Sequence, residues 1–130
     1  VASIAAKQGA LYQSHGQCVL QAAPASLERI LDNLLQNARR YGGGKTPEIR
    51  LQCDEKHVAI SVLDSGPGIP EAELEKVFRP FYRLETSRAS ATGGTGLGLA
   101  IVKQLAELNG WAVRLANRPE GGLGATVILK

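Results

Sequence analysis

Alternating glycines between Gly94 and Ala100, in the sequence GTGLGLA, are the strongest constraint on how this chain folds. Glycine lets a backbone bend and approach a neighbouring group where a side chain would clash. Apolar residues recur at helical spacing from Leu97 to Leu105, so the glycine run is predicted to open a helix. Because free N–H groups and the positive end of the helix dipole point outward there, such a helix start favours phosphate binding.

A second glycine pair, Gly66 and Gly68, follows Asp64 at the end of an apolar, strand-like stretch. The Rossmann spacing G-x-G-x-x-G is absent, because the sixth position is a glutamate when counted from Gly66 and a leucine when counted from Gly94. The P-loop pattern is absent too, since an arginine stands where the GKT sequence would need its first glycine. A phosphate cradle and a fixed carboxylate together predict a nucleotide site of another kind.

Composition narrows the classes of protein further. The 130 residues are 44% hydrophobic, which suits one domain with its own core. The net charge is +3, but the basic residues form no long run, so nucleic-acid binding is not expected. No apolar stretch is long enough to span a membrane, so no membrane contact is expected of this segment. Cys18 and Cys53 lie in apolar stretches and are expected to be buried free thiols, as in a reducing cytoplasm.

Apolar periodicity predicts the order of helices and strands. The clearest helix runs from Pro24 to Arg40, and three glycines follow it. The other predicted elements are the tail of a helix from Val1 to about Leu11, strands at Cys18–Leu20, Ile49–Cys53 and His57–Leu63, a helix start at Pro70, a mobile loop over 82–96, a helix at Leu97–Leu108, and strands at Trp111–Ala116 and Ala125–Leu129. Short turns between neighbouring strands, with helices on one side, predict an α+β fold, a two-layer α/β sandwich.

Four segments, in order along the chain, resemble the signature boxes of sensor histidine kinases. The N box, first glycine box, F box and second glycine box correspond to Asn33–Tyr41, Asp64–Ile69, Phe78–Phe81 and Gly94–Leu99. From about Pro24 onward the chain is similar to the catalytic, ATP-binding domain of a bacterial two-component kinase. The resemblance implies the Bergerat fold of type II topoisomerases, mismatch-repair ATPases and heat-shock chaperones, with a mixed, mostly antiparallel sheet and helices on one face. It also implies that residues 1–130 are one domain of a longer sensor kinase.

Asn33 and Asn37 are four residues apart in the N box, so they share one face of the predicted helix. A neutral amide oxygen suits Mg²⁺, which prefers oxygen ligands and retains water and phosphate in its shell. The resemblance implies Asn37 as the Mg²⁺ ligand and Asn33 as its neighbour in the same polar pocket. A solvated surface position is the alternative for Asn33.

Asp64 is implied as the residue that recognises adenine, because its carboxylate accepts a hydrogen bond from the exocyclic amine of ATP and repels the carbonyl of GTP. Its alternative role is to cap the turn that follows. Tyr41 would cover the other side of the ring or else belong to the core. Thr126 would support Asp64 through water or be an ordinary strand residue. Beside the base, the first glycine box would contribute Gly66, Gly68 and Ile69.

The second glycine box is implied as the phosphate site, and the loop before it as a lid over ATP. Its backbone N–H groups belong to Gly94, Thr95, Gly96, Leu97 and Gly98. Arg40, at the end of the N box, is a candidate for a catalytic phosphate contact. Arg83 and Arg88 in the predicted lid are further candidates, with a solvated loop position as their alternative. Phe78 and Phe81 are expected to pack the base of the lid.

The residue at position 33 predicts the kind of reaction. ATP-hydrolysing relatives carry a glutamate general base there, whereas Asn33 cannot usefully accept a proton. The domain is therefore expected to donate the γ-phosphoryl group of Mg·ATP to a histidine on a separate dimerisation domain, from which it passes to a response regulator. Neither His15 nor His57 precedes an acid as that histidine does. The resemblance implies a cytoplasmic domain of a parent in the inner membrane.

Two other functions stay open from the sequence. The first is an ATPase-driven conformational clamp of the topoisomerase or mismatch-repair type, which the asparagine at position 33 disfavours. The second is a regulatory or protein-interaction module that binds nucleotide without phosphotransfer. Asn37, Asp64 and the glycine boxes argue against that second function, but a domain that only senses ATP would retain them as well.

Overall fold

The structure, a computed structural model, describes residues 10–15, 24–41, 45–53, 57–79 and 98–129. Strand β1 (Leu11–His15) is followed by helix α1 (Pro24–Tyr41) and by strands β2 (Glu48–Cys53) and β3 (Val58–Leu63). Two short 3-10 turns come next, and then helix α2 (Gly98–Leu108) and strands β4 (Ala112–Asn117) and β5 (Leu123–Leu129). The predicted helices at 24–40 and 97–108 and the four predicted strands from 49 onward are confirmed within one or two residues of their ends.

The five strands form one sheet in the order β1-β2-β3-β5-β4. Strand β1 pairs with β2 in parallel, and the other three pairings are antiparallel. The sheet is therefore mixed and mostly antiparallel, as the resemblance implies. Two of its antiparallel pairs, β2 with β3 and β4 with β5, are sequence neighbours, which their short connections allow.

Both helices pack on the same face of the sheet. Strand alternation directs Ile49, Ile60, Val62 and Val127 toward them, and all four side chains are buried. On α1 the inward row recurs at three- and four-residue intervals, as predicted, and consists of Leu27, Ile30, Leu31, Leu34, Leu35 and Ala38. Each such leucine or isoleucine stabilises the fold by about 1.5–3 kcal/mol through burial. The two-layer sandwich is thus confirmed, and no helix in the described part is long and apolar enough to cross a membrane.

The N-terminal prediction differs from the structure where the two overlap. Residues 11–15 form a strand, whereas the sequence predicts a helix tail that ends near Leu11 and no strand before Cys18. The strand forms because the open edge of β2 supplies hydrogen-bond partners for it. The N–H of Leu11, at the start of β1, donates to the carbonyl of Pro47, just before β2, at 3.0 Å. The predicted helical residues 1–9 and the predicted strand Cys18–Leu20 lie outside the described residues.

The predicted helix start at Pro70 is followed by two single 3-10 turns, Glu71–Glu73 and Lys76–Phe78. Val77 is the buried residue of the second turn, and the first turn buries none. With so little apolar surface facing the core, a longer helix gains little from packing, and packing supplies most helical stability in proteins. The predicted mobile loop over 82–96 lies outside the described residues.

The prediction of free thiols is wrong for Cys53, which is disulfide-bonded. The side chain of Cys53 packs against the core at the end of β2. The parallel register pairs His15, the last residue of β1, with Gln52, so β1 ends next to the residue before Cys53. Cys18, the other cysteine of the chain, lies outside the described residues. The sequence pattern does not reveal this proximity, because it does not predict β1.

Candidate functional site

Two amide side chains of α1 face the start of α2. Asn33 and Asn37 are both half-buried, one helical turn apart. A Cβ atom placed on Gly98, the first residue of α2, would lie 3.8 Å from Oδ1 of Asn33 and 4.0 Å from Oδ1 of Asn37. Two neutral oxygens and the free N–H groups of a helix start therefore share one space. Oxygen ligands for a hard cation next to donors for an anion fit a magnesium–phosphate group.

The side chain of Asn33 is held in one orientation by its own helix. Its Nδ2 donates a hydrogen bond to the carbonyl of Arg29 at 3.1 Å. That bond occupies the nitrogen and leaves Oδ1, the atom near Gly98, as an acceptor. An amide oxygen can receive a hydrogen bond or contact a cation, but it is not basic enough to take a proton from water. The site thus offers no base for hydrolysis at this position.

Asp64 has one carboxylate oxygen in use and one available. Its side chain is buried at the end of β3, and Oδ1 accepts hydrogen bonds from the N–H of Gly66 at 3.0 Å and of Leu123 at 2.9 Å. The bond from Gly66 is a turn cap, so that alternative role of Asp64 is real. Oδ2 has no partner among the described residues, and no buried side-chain oxygen in that part of the chain is unsatisfied, so Oδ2 reaches accessible space. It can accept a hydrogen bond from a ligand amine.

The hairpin between β4 and β5 contacts the first glycine box at both ends, a feature that the sequence interpretation missed. The Oδ1 of Asn117 accepts the N–H of Ile69 at 2.8 Å, and its Nδ2 donates to the carbonyl of Ile69 at 2.6 Å. At the other end, Nη1 of Arg118 donates to the backbone carbonyl of Asp64 at 2.7 Å. The sequence shows this segment only as a turn containing proline and two glycines, which locates a hairpin but not its contacts.

Two glycines are required where the hairpin and the box meet. Gly68 has a φ of +77°, and a Cβ atom on it would overlap Oδ1 of Asn117. Gly122 has a φ of +97°, and a Cβ atom on it would overlap the backbone of Asp64. Side chains are disfavoured at both positions by backbone conformation and by space. Within DSGPGI, Gly68 is therefore required by the shape of this loop.

Thr126 is not brought to Asp64, so its predicted supporting role is wrong. Its neighbours Ala125 and Val127 face the helices, and alternation therefore turns Thr126 to the opposite side of the sheet. There its Oγ1 lies 2.8 Å from Oγ of Ser61, within hydrogen-bond distance. The sequence alone does not show which face of the sheet a strand threonine occupies, because a shift of one residue reverses the face.

The remaining predicted site residues are described only in part. Arg40 is half-buried near the end of α1, and Tyr41 ends that helix, although its side chain is not described. The predicted lid and phosphate residues Arg83, Arg88, Gly94, Thr95, Gly96 and Leu97 lie outside the described residues. Of the F box, Phe78 is described: the Nζ of Lys103 on α2 lies 5.5 Å from the centre of its ring, a cation–π contact. The start of the F box therefore contacts α2, and its predicted packing against the base of the lid stays a prediction.

Comparison with known proteins connects this geometry to one family. Residues 22–130 match the family of histidine kinase-, DNA gyrase B- and HSP90-like ATPases. Sensor histidine kinase YcbM of Bacillus subtilis (strain 168) is 43% identical over 111 residues, 85% of this chain and 36% of that protein. Sensor histidine kinase CpxA of Escherichia coli (strain K12) is 40% identical over 115 residues, 88% of this chain and 25% of that protein.

Solved structures agree with the fold. The ATP-binding domain of PrrB from Mycobacterium tuberculosis matches with a TM-score of 0.71 at 28% identity, over 98% of this chain and 87% of that chain. The mycobacterial sensor histidine kinase MprB matches with a TM-score of 0.78 at 29% identity, over 98% of this chain and 88% of that one. By contrast, the chain spans only 36% and 25% of the two full-length relatives. The similarity thus concerns one domain of those longer proteins.

Proposed function

Because the chain belongs to the family of histidine kinase-, DNA gyrase B- and HSP90-like ATPases, we propose that it is the catalytic domain of a sensor histidine kinase. It binds Mg·ATP and donates the γ-phosphoryl group to a histidine on a separate dimerisation domain. The observation that carries this proposal is the approach of the Asn33 and Asn37 amide oxygens to Gly98 at the start of α2. An oxygen-rich pocket against a helix start supports a nucleotide with its metal ion, and the family supplies the reaction.

At the base end of the site, the proposed adenine contact is Oδ2 of Asp64. Oδ1 is already saturated by two backbone N–H groups, which fix the plane of the carboxylate. A carboxylate accepts the exocyclic amine of adenine, whereas the 6-oxo group of guanine would face it lone pair to lone pair. Gly66, Gly68 and Ile69 would line the base through their backbone, and Tyr41 would cover its other side.

At the phosphate end, Asn37 is the proposed Mg²⁺ ligand and Asn33 its polar neighbour. The ion would neutralise charge on the phosphate oxygens when bound. Arg40 is proposed as the catalytic arginine from α1, and Arg83 and Arg88 as contacts from the lid. Backbone N–H groups of the second glycine box would bind the phosphates, contributed by Gly94, Thr95, Gly96, Leu97 and Gly98.

Phosphoryl transfer then depends on how the nucleotide is positioned rather than on a general acid or base in this chain. The bond between the γ-phosphorus and the oxygen shared with the β-phosphate breaks, and a bond from that phosphorus to an imidazole nitrogen forms, so ADP leaves with the oxygen. This chain holds the nucleotide and neutralises its charge, while the nucleophile comes from elsewhere. The absence of a carboxylate at Asn33 supports transfer over hydrolysis, and therefore disfavours an ATPase clamp.

The larger protein is part of the same proposal. Residues 1–130 would be one domain of a sensor kinase, joined to a dimerisation domain that carries the phosphoacceptor histidine. A response regulator would receive the phosphoryl group afterwards. The relatives are named as sensor histidine kinases and are about three to four times longer than the matched region. By analogy, the parent would be an inner-membrane protein with this domain in the cytoplasm.

Calorimetric titration of the chain with Mg·ADP and with a non-hydrolysable ATP analogue tests the nucleotide site. Both should bind to the wild type, GTP should not, and Asp64→Asn should abolish binding because an amide nitrogen would face the adenine amine. Glu107→Gln, the same chemical change at an exposed position near the other end of α2, is the matched control. Absence of adenine-nucleotide binding to the wild type would overturn the proposal. If adenine nucleotides bind, phosphoryl transfer to a histidine domain is tested next with γ-labelled ATP.

A further inference from the structure

We propose that Asn117 is a positioning residue for adenine recognition, acting through the loop Asp64–Ile69. This inference rests on the proposed function and adds the β4–β5 hairpin to the nucleotide site. The side chain of Asn117 pairs with both backbone polar groups of Ile69, at 2.8 Å and 2.6 Å. An asparagine amide bound in this way replaces the neighbouring strand that the loop lacks after β3 ends.

The same hairpin holds the first residue of the loop. Leu123 donates its N–H to Oδ1 of Asp64 at 2.9 Å and accepts the N–H of Asp64 at 3.0 Å. Arg118 adds the bond from its guanidinium to the carbonyl of Asp64. The residue that would contact adenine and the residue that ends the loop are therefore fixed to one short segment, Asn117–Leu123.

The hairpin turn is closed by hydrogen bonds and an ion pair of its own. The N–H of Arg118 donates to the carbonyl of Gly122 at 2.8 Å, and that of Gly121 donates to the carbonyl of Arg118 at 3.0 Å. Glu120 forms an ion pair with the guanidinium of Arg118 at 3.1 Å. Since the turn is closed by its own bonds, contacts with it limit the positions that the loop can take.

Both polar atoms of the Asn117 side chain already form hydrogen bonds within the protein. Oδ1 accepts from Ile69, and Nδ2 donates both to Ile69 and to Oε1 of Glu71, the latter at 3.3 Å. The same Oδ1 lies where a side chain on Gly68 would be. Asn117 thus acts on the nucleotide through the shape of the loop rather than by direct contact.

The test compares Asn117→Ala with Asn109→Ala in titrations with ADP and with IDP. Asn109 is the matched control, because its Nδ2 also donates to a backbone carbonyl, that of Leu105 at 2.8 Å, but at the far end of α2. IDP carries an oxygen in place of the adenine amine and a proton on the neighbouring ring nitrogen N1, so the ratio of the two dissociation constants reports on recognition of the base edge proposed to face Asp64. Circular dichroism and urea unfolding establish that each variant is folded.

In the wild type and in Asn109→Ala, ADP should bind more tightly than IDP. Asn117→Ala should weaken ADP binding about tenfold, the effect of losing one or two hydrogen bonds to the loop, while IDP binding changes less. The preference for ADP therefore falls. A role confined to general stability would lower both affinities together and leave the preference intact, and that result would overturn the inference.

Arg118→Met is the second variant, which keeps the packing of the arginine stem while removing its bond to Asp64. If Asn117→Ala does not fold, loss of the ADP preference in Arg118→Met supports the positioning role of the hairpin, and an unchanged preference overturns it. If the wild type binds neither nucleotide, the proposed function fails, and the inference fails with it. If the wild type shows the preference and folded Asn117→Ala shows it equally, only the inference fails.

Discussion

Gly122 lies against the backbone of Asp64 so closely that a Cβ atom on the glycine would overlap the aspartate carbonyl. The neighbouring Gly121 has a similar backbone conformation, with φ of +102° against +97°, but a Cβ atom there would meet nothing within 4 Å. Two adjacent glycines therefore have different physical requirements. Gly121 is required only for its positive φ. Gly122 is required for its positive φ and because there is no space for a side chain beside Asp64.

Gly122→Ala should consequently damage the nucleotide site, whereas Gly121→Ala should only cost stability. Backbone strain alone is expected to lower the free energy of unfolding by about 1–2 kcal/mol in either variant. The overlap at Gly122 adds displacement of Asp64, so ADP binding should be lost there and kept in Gly121→Ala. Urea unfolding and ADP titration measure the two effects separately. Equal ADP affinity in the two variants would show that Gly122 does not set the position of Asp64.

Gly98→Ala should weaken nucleotide binding without lowering the stability of the fold. The new methyl group would meet Oδ1 of Asn33 and of Asn37 at ordinary contact distances, so nothing in the fold must move. Alanine also favours a helix over glycine, by up to about 1 kcal/mol. The methyl group would, however, occupy space proposed for Mg²⁺ and phosphate.

Stability of Gly98→Ala is therefore expected to equal or exceed that of the wild type, while Mg·ADP binding weakens. Gln104→Ala, at an exposed position on α2, controls for helix propensity. Thermal unfolding and calorimetry provide the two readouts. Wild-type affinity in Gly98→Ala would place the phosphates away from the start of α2.

Local pattern was sufficient to predict most of the fold. Helix α1 carries an apolar row at regular intervals, and β2 and β3 are apolar runs separated by a polar turn, so each element is visible in its own residues. Strand β1 has no such signal: Leu11 is 58% exposed, and its hydrogen-bond partners come from the edge of β2. Its conformation is decided by a contact between distant parts of the chain.

Some features of the site were also predictable from local sequence, and others depend on contacts between distant residues. The helical spacing of Asn33 and Asn37 predicts a shared face, and the motif order indicates which element they face. The contact of Asn117 with Ile69 joins residues 48 apart, and nothing in the local sequence of either residue encodes it. Thr126 shows the converse error, because its face depends on strand register, and a shift by one residue reverses it.

The disulfide at Cys53 predicts that stability depends on a reductant. A cross-link restricts the unfolded chain, and its loss commonly costs about 2–4 kcal/mol. Urea unfolding of the wild type should therefore shift to lower urea concentration when dithiothreitol is added, while Cys53→Ser should be insensitive to dithiothreitol. A wild type that unfolds identically in both conditions would show that the cross-link is absent in solution or stabilises nothing.

Asn37→Ala should remove the Mg²⁺ dependence of nucleotide binding. In the wild type, ADP affinity is expected to be higher with Mg²⁺ than with a chelator, because Asn37 is proposed to supply a protein oxygen to the ion. The ratio of the two dissociation constants should fall to about one in Asn37→Ala, as expected when a metal loses its protein ligand. Asn33→Ala should retain more of that ratio, since the nitrogen of Asn33 is committed to Arg29 and its oxygen is a neighbour rather than the proposed ligand.

Gln36→Ala, an exposed change one residue from Asn37 on α1, is the control for helix stability and should leave the ratio unchanged. Calorimetry with ADP in Mg²⁺ and in chelator gives each ratio directly, independent of any phosphoacceptor. If Asn37→Ala keeps the full Mg²⁺ dependence while Asn33→Ala loses it, the metal ligand is the other asparagine. A Cβ atom placed on Gly98 would lie at similar distances from the two oxygens, 4.0 Å for Asn37 and 3.8 Å for Asn33, so distance alone does not decide between them. The proposal of Asn37 as the Mg²⁺ ligand therefore rests on its place in the N box, and the two ratios test it.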